Sequence, residues 1–261
     1  MARPADVRRE SPHSSLLYAL SRRPVLALGF RNILADVAWL EAVQVSGNRK
    51  LHRADYDRLV ELLETVFGFD PHFLVPYLFA GIVLGESADH GSAALGILMR
   101  GEKEFPLEWR LPFYAGYIQY FTLGNPAEGG VDILRASRIP GSPAYFPLLA
   151  SRMLSEGNRP ETALSFLREL VIHEKDPRRL RVLEERIRQV VVERDLQIIE
   201  TAVSEFKAMK GVPPGGIADL VAAGFLARVP EEPYGGRYLL TAEGGVRSDR
   251  APGGRLKVFR K

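Results

Sequence analysis

A period narrows the fold of this chain more than any other feature of it. The segments PYLFAG from Pro76, PFYAG from Pro112 and PLLAS from Pro147 each carry a small pair. The pairs are Ala80-Gly81, Ala115-Gly116 and Ala150-Ser151, so the step is 35 residues both times. Pro71, Pro106, Pro140 and Pro177 repeat at steps of 35, 34 and 37. Gly-Asn recurs at Gly47-Asn48, Gly124-Asn125 and Gly157-Asn158, each time between two apolar-periodic runs. A repeat of this length is one supersecondary unit that buries its apolar face only against its neighbours.

Each unit reads as a helical hairpin. The clearest pairs a helix over about 108–123 with one over about 127–138, joined by Gly124-Asn125-Pro126. The glycine suits a C-cap and the proline a first helical turn. The others pair 145–156 with 161–173, 73–86 with 92–104, and 30–46 with 56–67 across a longer polar loop. Interior glycine costs a helix about 1 kcal/mol relative to alanine, so Gly116 must be small for a reason. The expected reason is the second helix of the same unit, whose facing positions Ala93-Ala94, Gly129-Gly130 and Ala163 are small too.

An apolar-small pair in the first helix, a small residue in the second and a closing proline, at this spacing, resemble the tetratricopeptide repeat family. The resemblance covers about residues 30–177. It implies a mainly α, helical-hairpin solenoid of four helix pairs whose first helices line a concave groove. With Gly116 at the small position, Arg110, Phe113, Tyr117, Tyr120 and Phe121 point that way, followed by Tyr145, Leu148 and Arg152 in the next unit. Arg110, Tyr117, Tyr120 and Arg152 are the expected partner-binding residues, since arginine and tyrosine are over-represented at binding hot spots. Phe113 and Phe121 are expected as core between units.

After Pro177 the pattern changes. Residues 178–261 open with a charged helical run, readable as one helix or two, that ends at Lys210-Gly211. A short helix IADLVAAGFL, a turn VPEEPYGG, a strand RYLLTA, the segment VRSD and a last strand RLKVFRK complete a small α+β module. Phe206, Gly211, Pro213, Leu220, Val221, Gly224, Leu226, Pro230, Pro233, Gly235 and Tyr238 follow the order found in the soluble half of type II secretion pseudopilins and type IV pilin-like proteins. That resemblance spans about residues 193–250 and implies work in a bacterial cell-envelope assembly, periplasmic or membrane-associated. Glu232 stands where that family has Asp, and Tyr234 where it usually has Trp. The acidic calcium loop is reduced to Asp249 in VRSDRAPGGRLK, so no calcium is expected, and the polymerising apolar helix is absent.

Residues 1–29 form a basic N-terminal segment with Arg3, Arg8, Arg9, Arg22 and Arg23. Its apolar runs are short and split by Arg22-Arg23, which predicts neither a cleaved signal peptide nor a transmembrane helix. A weak interfacial helix near 14–30 is one option. That leaves a second reading, a soluble cytoplasmic adaptor whose C-terminal module only caps the solenoid.

The chain has no cysteine, which excludes disulfides and thiolate chemistry, and its net charge of +3 is too small to argue for nucleic acid. His13, His52, His72, His90 and His173 are scattered over different units, so no metal is expected. Asp36, amid the apolar residues of ILADVAWLEA, reads as a buried acid paired with a nearby arginine, or as an acid at a helix-packing seam, rather than as a catalyst. No phosphate-loop, dinucleotide-loop or hydrolase motif occurs. The expected function is a non-enzymatic protein-interaction scaffold without cofactor. Arg247, Arg250, Arg255, Lys257, Arg260 and Lys261 make a basic end that serves solubility or meets an acidic partner or lipid headgroups.

Overall fold

A computed structural model describes residues 12–23, 27, 29–241, 244–256 and 258. Among them are eleven α-helices and one two-stranded antiparallel sheet. The chain forms two compact units. One takes the described residues up to Leu123 together with Ile139–Ser142; the other takes Gly124–Arg138 and the described residues from Pro143 on.

The first unit contains α1 (Pro12–Ser21), α2 (Arg31–Ser46), α3 (Arg53–Phe69), α4 (Leu74–Val83), α5 (Gly91–Glu104) and α6 (Arg110–Tyr117). A 3-10 turn, Leu84–Glu86, extends α4, and a π-helical turn, Ile118–Thr122, extends α6. These helices lie within a few residues of the expected ones. Where a weak interfacial helix near 14–30 was one option stands α1, which packs on α3 and sends Leu17 and Leu20 into a small core with Ala35, Ala38, Val66 and Phe69. The larger core joins α2 to α6 through Leu59, Leu63, Tyr77, Leu84, Ile97, Leu98, Leu111 and Ile118. Tyr77 is its anchor. Its ring stacks on Phe67 at 3.9 Å between centroids, and its hydroxyl donates to the Pro71 carbonyl at 3.1 Å.

The second unit holds α7 (Pro126–Ser137), α8 (Phe146–Glu156), α9 (Pro160–His173), α10 (Pro177–Lys210), α11 (Ile217–Ala222), β1 (Tyr238–Leu240) and β2 (Val246–Ser248). The charged run is one helix of 34 residues. Its start is set by the Asp176 carboxylate, which accepts from the Arg178 amide at 2.8 Å, and its end by Gly211 at φ 75°. Helix α10 serves two cores in succession. Leu183 and Val190 pack with Leu154, Leu164 and Leu167 of α8 and α9. Val192, Leu196, Ile199 and Val203 pack with Leu220, Leu226, Tyr238 and Val246 of the C-terminal module.

The small positions have a different partner from the expected one. A Cβ on Gly130 of α7 would stand 2.8 Å from the backbone nitrogen of Leu154 in α8. A Cβ on Gly81 of α4 would meet Tyr114 of α6 at 3.0 Å as well as Leu98 of α5 at 3.1 Å. These positions are small because the first helix of the following repeat approaches, not only the second helix of the same one.

The C-terminal sheet also differs from expectation. β1 lies inside RYLLTA, but its partner is VRS, with Tyr238 opposite Ser248 and Leu240 opposite Val246. Of the expected last strand, Arg255, Leu256 and Val258 are not extended in a ladder, and the rest lies outside the described residues. Glu232 has a structural role. Its buried carboxylate accepts from the amides of Tyr234 and Gly236, both at 2.8 Å, and from the Ser248 hydroxyl at 3.0 Å. It ties the turn to β2.

Candidate functional site

Helix α2 is built inside out. Ala35, Ala38 and Ala42 form its buried face, where α3 approaches closely. Its outer face carries Phe30 from the N-cap, then Ile33, Val37, Leu40 and Val43, each between 41% and 60% exposed. Steps of three and four residues put all five on one side of the helix. With a rise of 1.5 Å per residue the stripe runs about 20 Å. A helix apolar on both faces is ordinarily buried on both, whereas the outer face of α2 is uncovered among the described residues.

Asp36 lies within that stripe. It is exposed, which corrects the expectation of a buried acid paired with arginine. An acid one turn from Ile33 and Leu40 gives the stripe a polar register mark. A partner laid on it must bring a cation to that point or leave the carboxylate desolvated at a cost.

The expected partner-binding residues divide. Tyr117, Tyr120 and Phe121 cluster around the π-helical turn, with Phe121 4.5 Å from the Tyr117 ring and 4.8 Å from the Tyr120 ring. The turn is closed by the Leu123 amide donating to the Ile118 carbonyl at 3.0 Å and held by the Thr122 hydroxyl on the Gly85 carbonyl. Phe121 is 47% exposed and Tyr117 44%, so Phe121 is not the core residue expected of it. Arg110 is exposed but engaged: its guanidinium makes a two-pronged ion pair with Glu108, at 2.6 and 2.7 Å. That pairing holds the Glu108 carboxyl below its ordinary range, against the effect of burial. Arg152 belongs to the other unit, on α8, where it lines a cavity with Gln189 and Tyr234.

The remaining titratable groups are mostly structural. His90 bridges Ser87 and Asp57, at 2.8 and 2.9 Å, and stacks on Tyr56. Asp195, buried, accepts from the Tyr238 hydroxyl at 2.9 Å and pairs with Arg194 at 2.7 Å. Arg255 of the basic end is bound inside the chain, to Glu193 at 2.6 Å and Glu200 at 2.5 Å. Lys257, Arg260 and Lys261 lie outside the described residues. Among the described residues no group of three or more His, Asp or Glu side chains could hold a metal, and no helix is long and apolar enough to cross a membrane.

Comparison with family models, curated proteins and solved structures finds no match. The α2 stripe was present in the sequence as a run of large apolar residues at helical spacing. Its direction was not, because the alanine face of the same helix obeys the same spacing.

Proposed function

We propose that this chain is a non-enzymatic protein-interaction module and that the outer face of α2 receives an apolar helical segment of a partner protein. The observation that carries the reading is the inverted helix: alanines inward, five large apolar side chains outward. Apolar surface of this kind, contiguous and on one face, marks an interaction site rather than ordinary surface. Helix-in-groove and helix-on-helix recognition uses anchors at this spacing. Asp36 specifies a partner with Lys or Arg among its apolar residues, and argues against the stripe lying in lipid.

The aromatic turn at Tyr117, Tyr120 and Phe121 is a second contact surface in this reading, supported by the exposure of Tyr117 and Phe121, beside a half-buried Tyr120, and by the frequency of π turns at functional sites. The setting that the C-terminal resemblance implies is a bacterial pilus or type II secretion-like assembly, and we place the module there. The adaptor reading, with the C-terminal module as a cap, would keep the same α2 surface but not the setting.

The test is site-specific cross-linking in the native cell, with a photoreactive side chain at Val37 and a control at exposed Met99 on α5. The expected result is one envelope-assembly protein joined at 37 and not at 99, and lost when Leu40→Asp is added. A partner captured equally from both positions, or unaffected by Leu40→Asp, would sink the reading. A Val37 cross-link to a second copy of this chain would replace the partner by self-association.

A further inference from the structure

Arg152 of α8 is a cation that the fold leaves unmatched. It is half-buried, and it makes no ion pair and donates no hydrogen bond among the described residues. Its Nε is sealed from solvent without a partner, whereas Nη1 and Nη2 are not sealed. The outer fork of the guanidinium is therefore the part that can meet a ligand.

The carboxylates of this region bind other donors. Glu156, one turn along α8, accepts from the Val258 amide at 3.1 Å. Glu185 accepts from the Tyr234 hydroxyl and from Arg188, both at 2.7 Å. Glu193 and Glu200 hold Arg255 at 2.6 and 2.5 Å. Taking a charge partly out of water without a partner costs free energy, and an anion from outside the chain would offset that cost.

A cavity of about 320 Å³ has Arg152 in its wall, and all its lining residues belong to the second unit. Among the described lining residues are two arginines and no acid. Arg255 is already neutralised by Glu193 and Glu200, so Arg152 carries the one lining charge left for a ligand. Val192, Ala251, Leu256 and Val258 give the cavity an apolar side. The volume is at the lower end of ligand pockets, which suits a small acid or a single terminal residue.

We propose that this cavity binds a carboxylate carrying a short aliphatic group, held by the outer fork of Arg152. One unmatched positive charge suits a monoanion better than a dianion, and the two Nη–H groups of a guanidinium match the two oxygens of a carboxylate. The apolar side of the cavity takes the aliphatic carbons. A free small acid and the C-terminal residue of a peptide offer this same chemistry. The site lies in the second unit and owes nothing to the α2 surface of the first.

The experiment is an amide NMR titration of the full chain with sodium isobutyrate, against isobutyramide and against sodium phosphate at equal ionic strength. Saturable shifts of the Gly253 and Gly254 amides are expected with isobutyrate, none with isobutyramide, and a weaker response to phosphate. Arg152→Gln should weaken isobutyrate binding by about tenfold or more, the order expected for losing hydrogen bonds to a charged group, and Arg152→Lys should fall between. A further arm uses N-acetyl-Gly-Gly-Val with a free carboxylate and the same peptide as its C-terminal amide. Tighter binding of the peptide acid than of isobutyrate, with no binding of the amide, assigns a protein C-terminus; peptide binding no tighter than isobutyrate assigns a free small acid. The isobutyramide comparison uses the wild type and decides the matter even where a variant fails to fold. No saturable response to either acid, an isobutyramide response equal to that of isobutyrate, phosphate binding tighter than both acids, or unchanged isobutyrate affinity in folded Arg152→Gln overturns the proposal.

Discussion

Two glycines of α5, five residues apart, should respond to the same substitution with opposite signs. Gly96 is exposed in the helix interior, and a Cβ there meets nothing within 4 Å. Gly96→Ala should therefore gain the helix-propensity difference alone, about 1 kcal/mol. Gly101 is buried, and a Cβ there would stand 2.9 Å from Cδ1 of Tyr77 and 3.2 Å from Leu111. Ordinary carbon contacts are about 3.5–4.0 Å, so the ring would have to move by more than half an ångström, on the order of a bond-length fraction that packed cores resist. It cannot retreat freely, because it is stacked on Phe67 and tied to the Pro71 carbonyl. Overpacking costs about 1–3 kcal/mol, offset in part by the propensity gain of up to about 1 kcal/mol. The net expectation for Gly101→Ala is a loss of about 1 kcal/mol, and a gap of about 2 kcal/mol between the two variants. Urea unfolding followed by tryptophan fluorescence measures it, since both tryptophans, Trp39 and Trp109, lie in the first unit. The gap should appear as a shift of about 1 M in midpoint at unchanged slope. Equal midpoints for the two variants would refute the reasoning that close approach of α4 and α6, not chance, keeps Gly101 small.

Tyr238→Phe removes a hydroxyl from buried Asp195 and should cost about 1.5–3 kcal/mol by thermal unfolding, as for a hydrogen bond to a charged group. In a phenolate absorbance titration, burial should hold Tyr77 to about 12 and should also raise Tyr234 and Tyr238 above the ordinary range. Because the folded value of Tyr77 lies above its unfolded value near 10, its contribution to stability is complete below about pH 10 and is lost as pH rises to about 12; a Tyr77→Phe variant should lack that loss. Leu40→Asp should leave helicity and melting temperature within about 0.5 kcal/mol of wild type, as for an exposed position, while removing the cross-link from position 37. Asp36→Lys should weaken the same cross-link without changing stability, because it places a like charge against the partner's cation.

The eight hairpin helices could be located from the sequence because their signals are local. Gly124-Asn125-Pro126 became a left-handed glycine followed by a proline in the first turn of α7, as its chemistry requires. Lys210-Gly211 closed α10 for the same reason. Helix ends depend on backbone sterics and capping within a few residues, and such constraints are written in order along the chain.

What only the tertiary structure decided is which neighbour each helix keeps and which of two apolar faces it hides. Gly130 is small in the sequence, but only the fold says that Leu154 of α8, rather than the other helix of its own repeat, is the neighbour it must admit. Ala35 and Val37 obey the same helical period, and close approach of α3 selects the alanines for the interior and turns the larger residues out. Periodicity constrains each helix separately, whereas a close approach belongs to two helices at once.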